Sequence, residues 1–259
     1  MKIATFNING IRARLPRLID WLVESRPDVA LLQEIKCIDA AFPASGIEDL
    51  GYTVVTHGQK SFNGVAILSK YPLVDITRGL AGDEADTQAR WLEAVLDAPA
   101  PIHLCCLYLP NGNPVDSEKF PYKLAWMDRM GNRLVDLLRM ETPAVVAGDF
   151  NVIPHGRDAA LPEKWRGDAL FHPETLARWR RMVNLGFTDA FRVMTPTPGH
   201  YTFWDYQGGG WQRDEGIRID HILLSPQGAD LLSDCRIDRD IRGLEKPSDH
   251  VPIWVELDC

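Results

Sequence analysis

The sequence is short of basic residues relative to acidic ones. Its 28 lysines and arginines are outnumbered by 36 aspartates and glutamates, which gives a formal net charge of -8. This balance argues against the generally basic surface of many nucleic-acid-binding domains. It does not exclude a phosphate-bearing substrate, because carboxylates that hold a divalent cation invert the local charge.

Cysteines are few, and long apolar runs are missing. The five cysteines form no Cys-x-x-Cys pair and no Cys/His zinc spacing, and their odd count predicts reduced thiols in a cytoplasmic protein. No apolar run approaches the ~20 residues that span a bilayer. The N-terminus reaches Thr5 and Asn7 too soon for a signal peptide. We therefore expect a cytoplasmic monomer without a membrane partner.

Linkers, low-complexity tracts and breaks in composition are also missing, so we predict one domain over residues 1–259. Apolar runs typical of strands occur at residues 2–8, 29–32, 52–56, 65–69, 91–96, 103–109, 201–204, 217–224, 235–238 and 251–257, and another begins at Ala144. Helical periodicity marks residues 117–140 and 174–185, and also 15–22, with Pro16 in a first turn. These strands are too many for a simple doubly wound sheet, and the helices are too long for a plain β-sandwich. The pattern predicts an α/β protein with two sheets covered by helices.

The octet from Ala144 to Asn151 indicates a functional strand end. Its apolar run is typical of a buried strand, and we expect Gly148 to turn the backbone so that Asp149 and Asn151 emerge at the carboxyl end. Ligands bind at that end of open α/β sheets. Side chains two residues apart point the same way if the chain stays extended. The alternative is a strand capped by turn-forming residues.

Other strands also end in polar residues that can take part in catalysis. They are Asn7 and Asn9, Glu34, Tyr108 and Asn111, the run Arg218-Ile219-Asp220-His221, and the run Lys246-Pro247-Ser248-Asp249-His250. Any one of them alone is more often a turn former or a buried structural residue. Their joint occurrence favours a shared site.

Six segments carry a resemblance to a known family. They are Phe6-Asn7-Ile8-Asn9-Gly10-Ile11-Arg12-Ala13, Leu32-Gln33-Glu34-Ile35-Lys36, Tyr108-Leu109-Pro110-Asn111-Gly112, Gly148-Asp149-Phe150-Asn151, Arg218-Ile219-Asp220 and Ser248-Asp249-His250. Together they resemble the exonuclease III type of apurinic/apyrimidinic endonuclease, within the endonuclease/exonuclease/phosphatase superfamily, in the same order and over essentially the full length. The resemblance implies a four-layer α/β sandwich, with two mixed β-sheets flanked by helices.

The resemblance also implies a metal-dependent active site. Glu34 is expected to hold Mg²⁺, for which Mn²⁺ can substitute, with Asn7, Asn9 and Asp249 near the same ion. Asp149 would orient or deprotonate the attacking water, and Asn151 would hold that water or donate to the oxyanion. Asp220 and His250 would form a dyad, and Tyr108 would donate to the phosphate. The sequence leaves open whether Asp149 or His250 is the base, and how many ions bind.

DNA contacts are implied for two groups of residues. Arg12, Lys36, Arg90 and Asn111 are expected at the DNA, the three basic ones against its backbone, although each basic residue can equally be a solvated charge. Phe203, Ile217 and Ile219 would line an apolar pocket for a flipped-out sugar that lacks its base, with ordinary core packing as the alternative. Eukaryotic relatives carry Asp in place of Asn9 and Trp in place of Ile217. These departures put a second metal position and the floor of the pocket in doubt.

Three functions fit these observations to different degrees. The first is a Mg²⁺-dependent DNA repair nuclease that cuts double-stranded DNA 5′ to abasic sites and trims blocked 3′ ends as an exonuclease and 3′-phosphodiesterase. The second is a superfamily phosphatase or phospholipase acting on a phosphorylated small molecule or lipid. The third, a catalytically dead DNA-binding module, requires a missing essential group, and none is missing. The segments at Tyr108 and Arg218 favour the nuclease.

Overall fold

Twelve strands and six helices make up the regular structure of a computed structural model that describes residues 1–98 and 101–259. The strands are β1 (Lys2–Asn7), β2 (Val29–Gln33), β3 (Thr53–His57), β4 (Val65–Ser69), β5 (Leu73–Arg78), β6 (Trp91–Leu96), β7 (Ile102–Tyr108), β8 (Ala144–Asp149), β9 (Thr188–Asp189), β10 (Asp220–Leu224), β11 (Leu232–Ile237) and β12 (Ile253–Leu257). The helices are α1 (Ile11–Ser25), α2 (Ser45–Glu48), α3 (Lys119–Arg139), α4 (Pro173–Asn184), α5 (Ala190–Met194) and α6 (Pro226–Ala229).

The strands form two six-stranded mixed sheets packed face to face. Their orders are β11-β12-β1-β2-β4-β3 and β5-β6-β7-β8-β10-β9. Alternation along each strand sends one set of side chains between the sheets and the other set outward. On β1, Ile3 packs in the core between the sheets, whereas Ala4 and Phe6 pack in the cluster that includes Trp21 of α1. The long helices α3 and α4 cover the outer face of the second sheet. The predicted four-layer α/β sandwich is confirmed.

Some local predictions were wrong, and each has a physical reason. The edge strand β5 was missed because most of its side chains are exposed and give no alternating pattern. Helix α1 begins at Ile11, so Pro16 lies inside the helix rather than in its first turn. Residues 201–204 form no strand, since only Phe203 makes isolated bridges. That residues 1–259 are one domain stays a prediction.

Gly148 does not turn the backbone as predicted. It lies inside β8 with φ of 156°, and the strand continues through Asp149. A Cβ at this position would collide with the Leu107 carbonyl oxygen on β7. Glycine is therefore required by the close approach of β7 and β8, which places Tyr108 opposite Asp149 in the parallel register.

The topology brings the predicted site residues to one edge of the sandwich. The parallel pairs β1–β2 and β7–β8 each end at the same edge of their sheet. Strand β10 runs antiparallel to β8, so its first residue, Asp220, pairs with Asp149. Because β1 and β8 also pack across the interface, both sheets contribute to this edge.

A buried ion network anchors the segment that enters β10. Arg218 is fully buried; its Nε donates to Asp158 Oδ1 at 2.7 Å and its Nη2 to Asp189 Oδ2 at 2.8 Å. Its Nη1 lies 2.9 Å from His221 Nδ1, and His221 Nε2 lies 2.9 Å from the Val152 carbonyl. Since a guanidinium only donates and a carbonyl only accepts, the neutral His221 ring carries its hydrogen on Nε2.

We expect His221 to make the protein less stable as the pH falls, because the folded state holds its imidazole neutral whereas the unfolded chain can protonate it. Burial and the Arg218 guanidinium lower the pKa of His221 to about 3, whereas in the unfolded chain the imidazole titrates near ~6.5. A histidine with a lowered folded pKa contributes stability that is complete above its unfolded pKa and is lost as the pH falls toward the folded one. Between pH 7 and pH 5, linkage predicts a loss of roughly 2 kcal/mol in the free energy of unfolding.

The matched control is His221→Gln, whose amide oxygen accepts from Arg218 and whose amide nitrogen donates to Val152 but which does not titrate. Urea unfolding of both proteins at pH 7 and pH 5 isolates the histidine from every other group. The stability difference between them should change by roughly 2 kcal/mol over that range. A difference that stays constant would refute the argument.

Among the described residues, no helix is long and apolar enough to cross a membrane.

Candidate active site

Three side chains from distant segments converge at the shared edge of the sheets. Glu34, Asp149 and His250 each place one potential ligand atom within 4.8 Å of the others. Asp149 and His250 are only 2% and 4% exposed, and Glu34 is half-buried. Two carboxylates and an imidazole in one partly closed space can hold a metal ion or carry out proton transfer.

Asn7 links the carboxylates of the two sheets. It is fully buried, and its Nδ2 donates to Glu34 Oε1 and to Asp149 Oδ2, at 3.0 Å in each case. Both amide hydrogens are used, so the relative position of the carboxylates is fixed. The Oδ1 atom of Asn7 accepts from the backbone N–H of Asn9 at 3.0 Å.

The oxygens of Glu34 and Asn9 converge on one cation. Lys36 Nζ lies 2.8 Å from Glu34 Oε2 and 2.5 Å from Asn9 Oδ1, and Asn9 Nδ2 donates to Asp249 Oδ1 at 2.9 Å. Burial raises the pKa of Glu34, but the hydrogen bond and charge of Lys36 outweigh it, so the pKa of Glu34 is lowered overall. These hard oxygen donors around a positive group fit a site for a divalent cation.

Several of these residues adopt backbone conformations that are uncommon outside glycine. Asn9, Glu34 and Asn151 have φ of 45°, 53° and 47°. Left-handed conformations cost side chains with a Cβ roughly 1–2 kcal/mol each. These three left-handed residues follow the ends of β1, β2 and β8, where the change in backbone direction turns their side chains into the site.

His250 and Asp220 form the predicted dyad geometry. His250 Nδ1 lies 2.8 Å from Asp220 Oδ2, and its Nε2 lies 3.8 Å from Asp149 Oδ2. Burial alone would lower the pKa of His250, but the charges of Asp220 and Asp149 and the bond to Asp220 raise it above its ordinary value. These charges favour the imidazolium form of the ring.

Asp149 and Asn151 meet through a turn, so the condition of an extended chain is not met here. The backbone N–H of Asn151 donates to Asp149 Oδ1 at 2.9 Å, and the left-handed φ of Asn151 makes this bond possible. Asn151 Nδ2 donates to the Leu109 carbonyl, and Asn151 Oδ1 accepts from Asn111 Nδ2 at 3.0 Å. Burial raises the pKa of Asp149, with the charge of His250 opposing.

Tyr108 lies beside the carboxylates as a neutral phenol. Burial raises its pKa well above the ordinary value, and the charges of Glu34 and Asp149 add to the shift. The Arg90 guanidinium lies 4.8 Å from the ring centroid, and its Nη1 donates to the Tyr108 carbonyl at 3.2 Å.

The residues predicted to contact DNA fall into three groups. Arg90 and Asn111 line a trough of about 460 Å³ next to the site, together with Lys119, Tyr122 and Phe62, whose side chain is 69% exposed. Arg12 is exposed on α1 and donates to the Ala41 carbonyl at 3.4 Å, and Lys36 faces the carboxylates as described above.

Of the three apolar residues, two are buried and one is half-buried. Phe203 is half-buried, with its ring centroid 5.0 Å from that of His250. Ile217 and Ile219 are 1% and 3% exposed and pack in an apolar cluster with Ile153, which corresponds to the core alternative. Their part in a sugar pocket stays a prediction.

Sequence analysis missed a lysine that lies beneath the site. Lys123 of α3 is fully buried, and its Nζ donates to the carbonyls of Asn151 at 2.6 Å and Asn111 at 3.1 Å. It lies on the apolar face of α3 between Phe120 and Met127. A charged residue at a position where the helical period requires an apolar one is the signal that would have found it.

Comparison with known proteins agrees with this geometry. The chain belongs to the endonuclease/exonuclease/phosphatase family, whose sequence profile matches residues 4–250. It is 38% identical to exodeoxyribonuclease III of Haemophilus influenzae over 99% of this chain and 100% of that protein. The predicted exonuclease III type and the nuclease class are confirmed.

Solved structures give the same result. An AP endonuclease from Archaeoglobus fulgidus is 38% identical, with a TM-score of 0.94 and full coverage of both chains. A 3′ phosphatase from Neisseria, bound to a product DNA hairpin, is 37% identical, with a TM-score of 0.95 and again full coverage of both chains.

Proposed function

We propose that the protein is a Mg²⁺-dependent DNA repair nuclease. It cleaves the phosphodiester 5′ to an abasic site in double-stranded DNA and removes nucleotides or blocking groups from 3′ ends. The observation that carries the proposal is the convergence of Glu34, Asp149 and His250 on one space. The names of the relatives, which include an exonuclease, an AP endonuclease and a 3′ phosphatase, favour this function over a lipid or inositol phosphatase.

Asp149 is the proposed general base. Its raised pKa brings it toward the operating pH, where a base is most effective. The bonds from Asn7 and Asn151 fix its two oxygens, so the attacking water is held in a defined direction. Asn151 retains one amide hydrogen with which it can contact that water or the developing oxyanion.

His250 is proposed to act as a charged donor rather than as the base. An imidazolium has no free lone pair with which to accept a proton, and here Asp220 and Asp149 favour the protonated ring. Its Nε2 lies 3.8 Å from Asp149 Oδ2. A phosphoryl oxygen bound beside Asp149 would accept a hydrogen bond from this Nε2. The neutral phenol of Tyr108 would donate to a second phosphoryl oxygen, since its raised pKa disfavours a nucleophilic phenolate.

Glu34, with Asn9 and Asp249 beside it, would hold the Mg²⁺ ion, and the amide of Asn7 keeps the Glu34 carboxylate in place. The convergence of Glu34 and Asn9 oxygens on the Lys36 ammonium supports a cation position there. When bound, Mg²⁺ polarises the phosphate and stabilises the departing 3′-oxygen.

Local positive charge would offset the net charge of -8 where DNA binds. Arg90 lies in the trough beside Tyr108, Lys36 pairs with Glu34, and Arg12 is exposed on α1. Phosphate contacts by such residues supply most nucleic-acid affinity. Phe203, whose ring centroid lies 5.0 Å from that of His250, would contact the abasic sugar.

The direct test is a duplex oligonucleotide with a single abasic site. With Mg²⁺ we expect a nick 5′ to the site that leaves a 3′-hydroxyl and a 5′-deoxyribose phosphate. EDTA should abolish the reaction, and excess Mg²⁺ or Mn²⁺ should restore it, because the carboxylate and amide oxygens of the site are the hard ligands that these ions prefer. The same duplex with an intact base is the control.

Two results would count against the proposal. One is an abasic duplex that stays uncut with and without Mg²⁺. The other is release of phosphate from an inositol polyphosphate without nicking of DNA, which would favour the phosphatase alternative.

A further inference from the structure

The ammonium of Lys123 joins the two loops that carry the polar side chains of the second sheet. One loop follows β7 and contains Asn111; the other follows β8 and contains Asn151. Lys123 Nζ donates to the main-chain carbonyl of each, at 3.1 Å and 2.6 Å. Lys123 therefore ties the main chains of the two loops together, in addition to the side-chain bonds from Asn111 to Asn151 and from Asn151 to the Leu109 carbonyl.

The position has the features of a built contact rather than of chance burial. The side chain is fully buried, and among the described residues its nitrogen donates to these two carbonyls alone. Gly112 is its neighbour, with φ of 89°, and a Cβ there would lie 2.6 Å from Lys123 Cδ. The loop after β7 thus packs directly on the stem of the lysine, and a larger residue than glycine would displace it.

The contact continues into the catalytic groups. Asn111 Nδ2 donates to Asn151 Oδ1, and the backbone N–H of Asn151 donates to Asp149 Oδ1. Asn151 is held in a left-handed conformation with φ of 47°. The Lys123 donor on its carbonyl opposes relaxation of that conformation, because a buried carbonyl that loses its donor is left unsatisfied.

We propose that Lys123 is a positioning residue, which acts through the carbonyls of Asn111 and Asn151 to hold Asn151 and Asp149 in the geometry for phosphodiester hydrolysis. The proposal rests on the proposed nuclease function. It places the effect of Lys123 on the chemical step, since its side chain lies below the site and does not reach substrate.

Lys123→Met, which keeps the length of the side chain and removes its hydrogen-bond donors, tests the proposal. We expect the single-turnover rate constant for cleavage of an abasic duplex to fall ~10- to 100-fold, as for other small losses of alignment. The Kd for the same DNA in EDTA should change by less than about threefold, since no substrate contact is lost. The side-chain amide NMR signals of Asn111 and Asn151 should shift.

Two further variants separate positioning from general stability. Arg133→Met removes a different basic residue from α3, which is partly buried and donates to Glu93 at 2.6 Å. It should lower the urea midpoint but keep kcat within about twofold and leave both amide signals in place. Lys123→Arg retains the charge and the donors and should keep kcat within about threefold of the parent.

Each outcome decides the question. Parental kcat in Lys123→Met, an equal loss in Arg133→Met, or unmoved amide signals would overturn the proposal. Should Lys123→Met fail to fold, a folded Lys123→Arg that loses tenfold or more in kcat would also overturn it, and retained kcat would support it. If the parent itself does not cut abasic DNA, the nuclease function fails, and the amide signals alone then test the role of Lys123.

Discussion

Replacing Asp149 with asparagine should lower kcat for abasic-site cleavage by ~10²- to 10⁴-fold, the usual contribution of a well-placed general base. The amide has the size of the carboxylate but does not accept a proton from water. DNA binding should persist, because Asp149 is 2% exposed and bonds to Asn7 and Asn151. Its replacement therefore leaves the basic residues that are proposed to contact DNA unchanged. Single-turnover kinetics with Mg²⁺ and fluorescence anisotropy in EDTA measure the two quantities.

The Asp149→Asn variant should also remain folded. Its amide oxygen can keep the bond from the Asn151 N–H. Its NH₂ group would replace the oxygen that accepts from Asn7 Nδ2, so the hydrogen bond from Asn7 would be lost. Burial raises the pKa of Asp149, which means that the carboxylate is itself costly to bury, and the neutral amide avoids this cost.

Asp136→Asn is the matched control, because Asp136 is an exposed carboxylate on α3 that pairs with Arg139 at 3.0 Å. It should change neither rate nor binding. If Asp149→Asn bound and cut abasic DNA as well as the parent does, Asp149 would not be the base. The interpretation of the chain as a DNA-binding module without catalysis at this site would then gain support.

The strand ends of the site were predictable from the sequence, because each has a local pattern. A buried apolar run followed by Asn7, Glu34 or Asp149 marks the end of a strand regardless of where that strand lies in the sheet. The resemblance to a known family then placed these ends at one site. The structure brings Glu34, Asp149 and His250 within 4.8 Å of one another.

What the sequence did not predict depends on contacts between distant residues. The requirement for glycine at Gly148 comes from the Leu107 carbonyl on the neighbouring strand, and nothing local to the octet indicates it. Likewise, the left-handed conformation of Asn151 depends on bonds to Asp149, Asn111 and Lys123. Such positions are set by tertiary structure rather than by propensity.

Substitution of His250 is the second change for which we expect a large effect. His250→Ala should lower kcat by ~10²- to 10³-fold, the usual cost of losing one donor to a developing oxyanion. The imidazole is 4% exposed, held by Asp220 at 2.8 Å and packed against Phe203, so its removal leaves a defined cavity. Circular dichroism and Mn²⁺ binding by Glu34 serve as controls for folding and for the metal site.

The same cavity allows the role of the ring to be determined, because added imidazole can enter it. If the ring acts as a charged donor, rescue of His250→Ala by imidazole should strengthen as the pH is lowered from 8 to 6, since the imidazolium fraction rises. A general base would give the opposite trend, because only neutral imidazole accepts a proton. At each pH, the rate with imidazole is divided by the rate without it. The titration of Asp149 affects both rates and therefore cancels in this ratio. Rescue that weakens toward pH 6 would reverse our assignment and make His250 the base, whereas rescue that strengthens leaves Asp149 as the group that activates water.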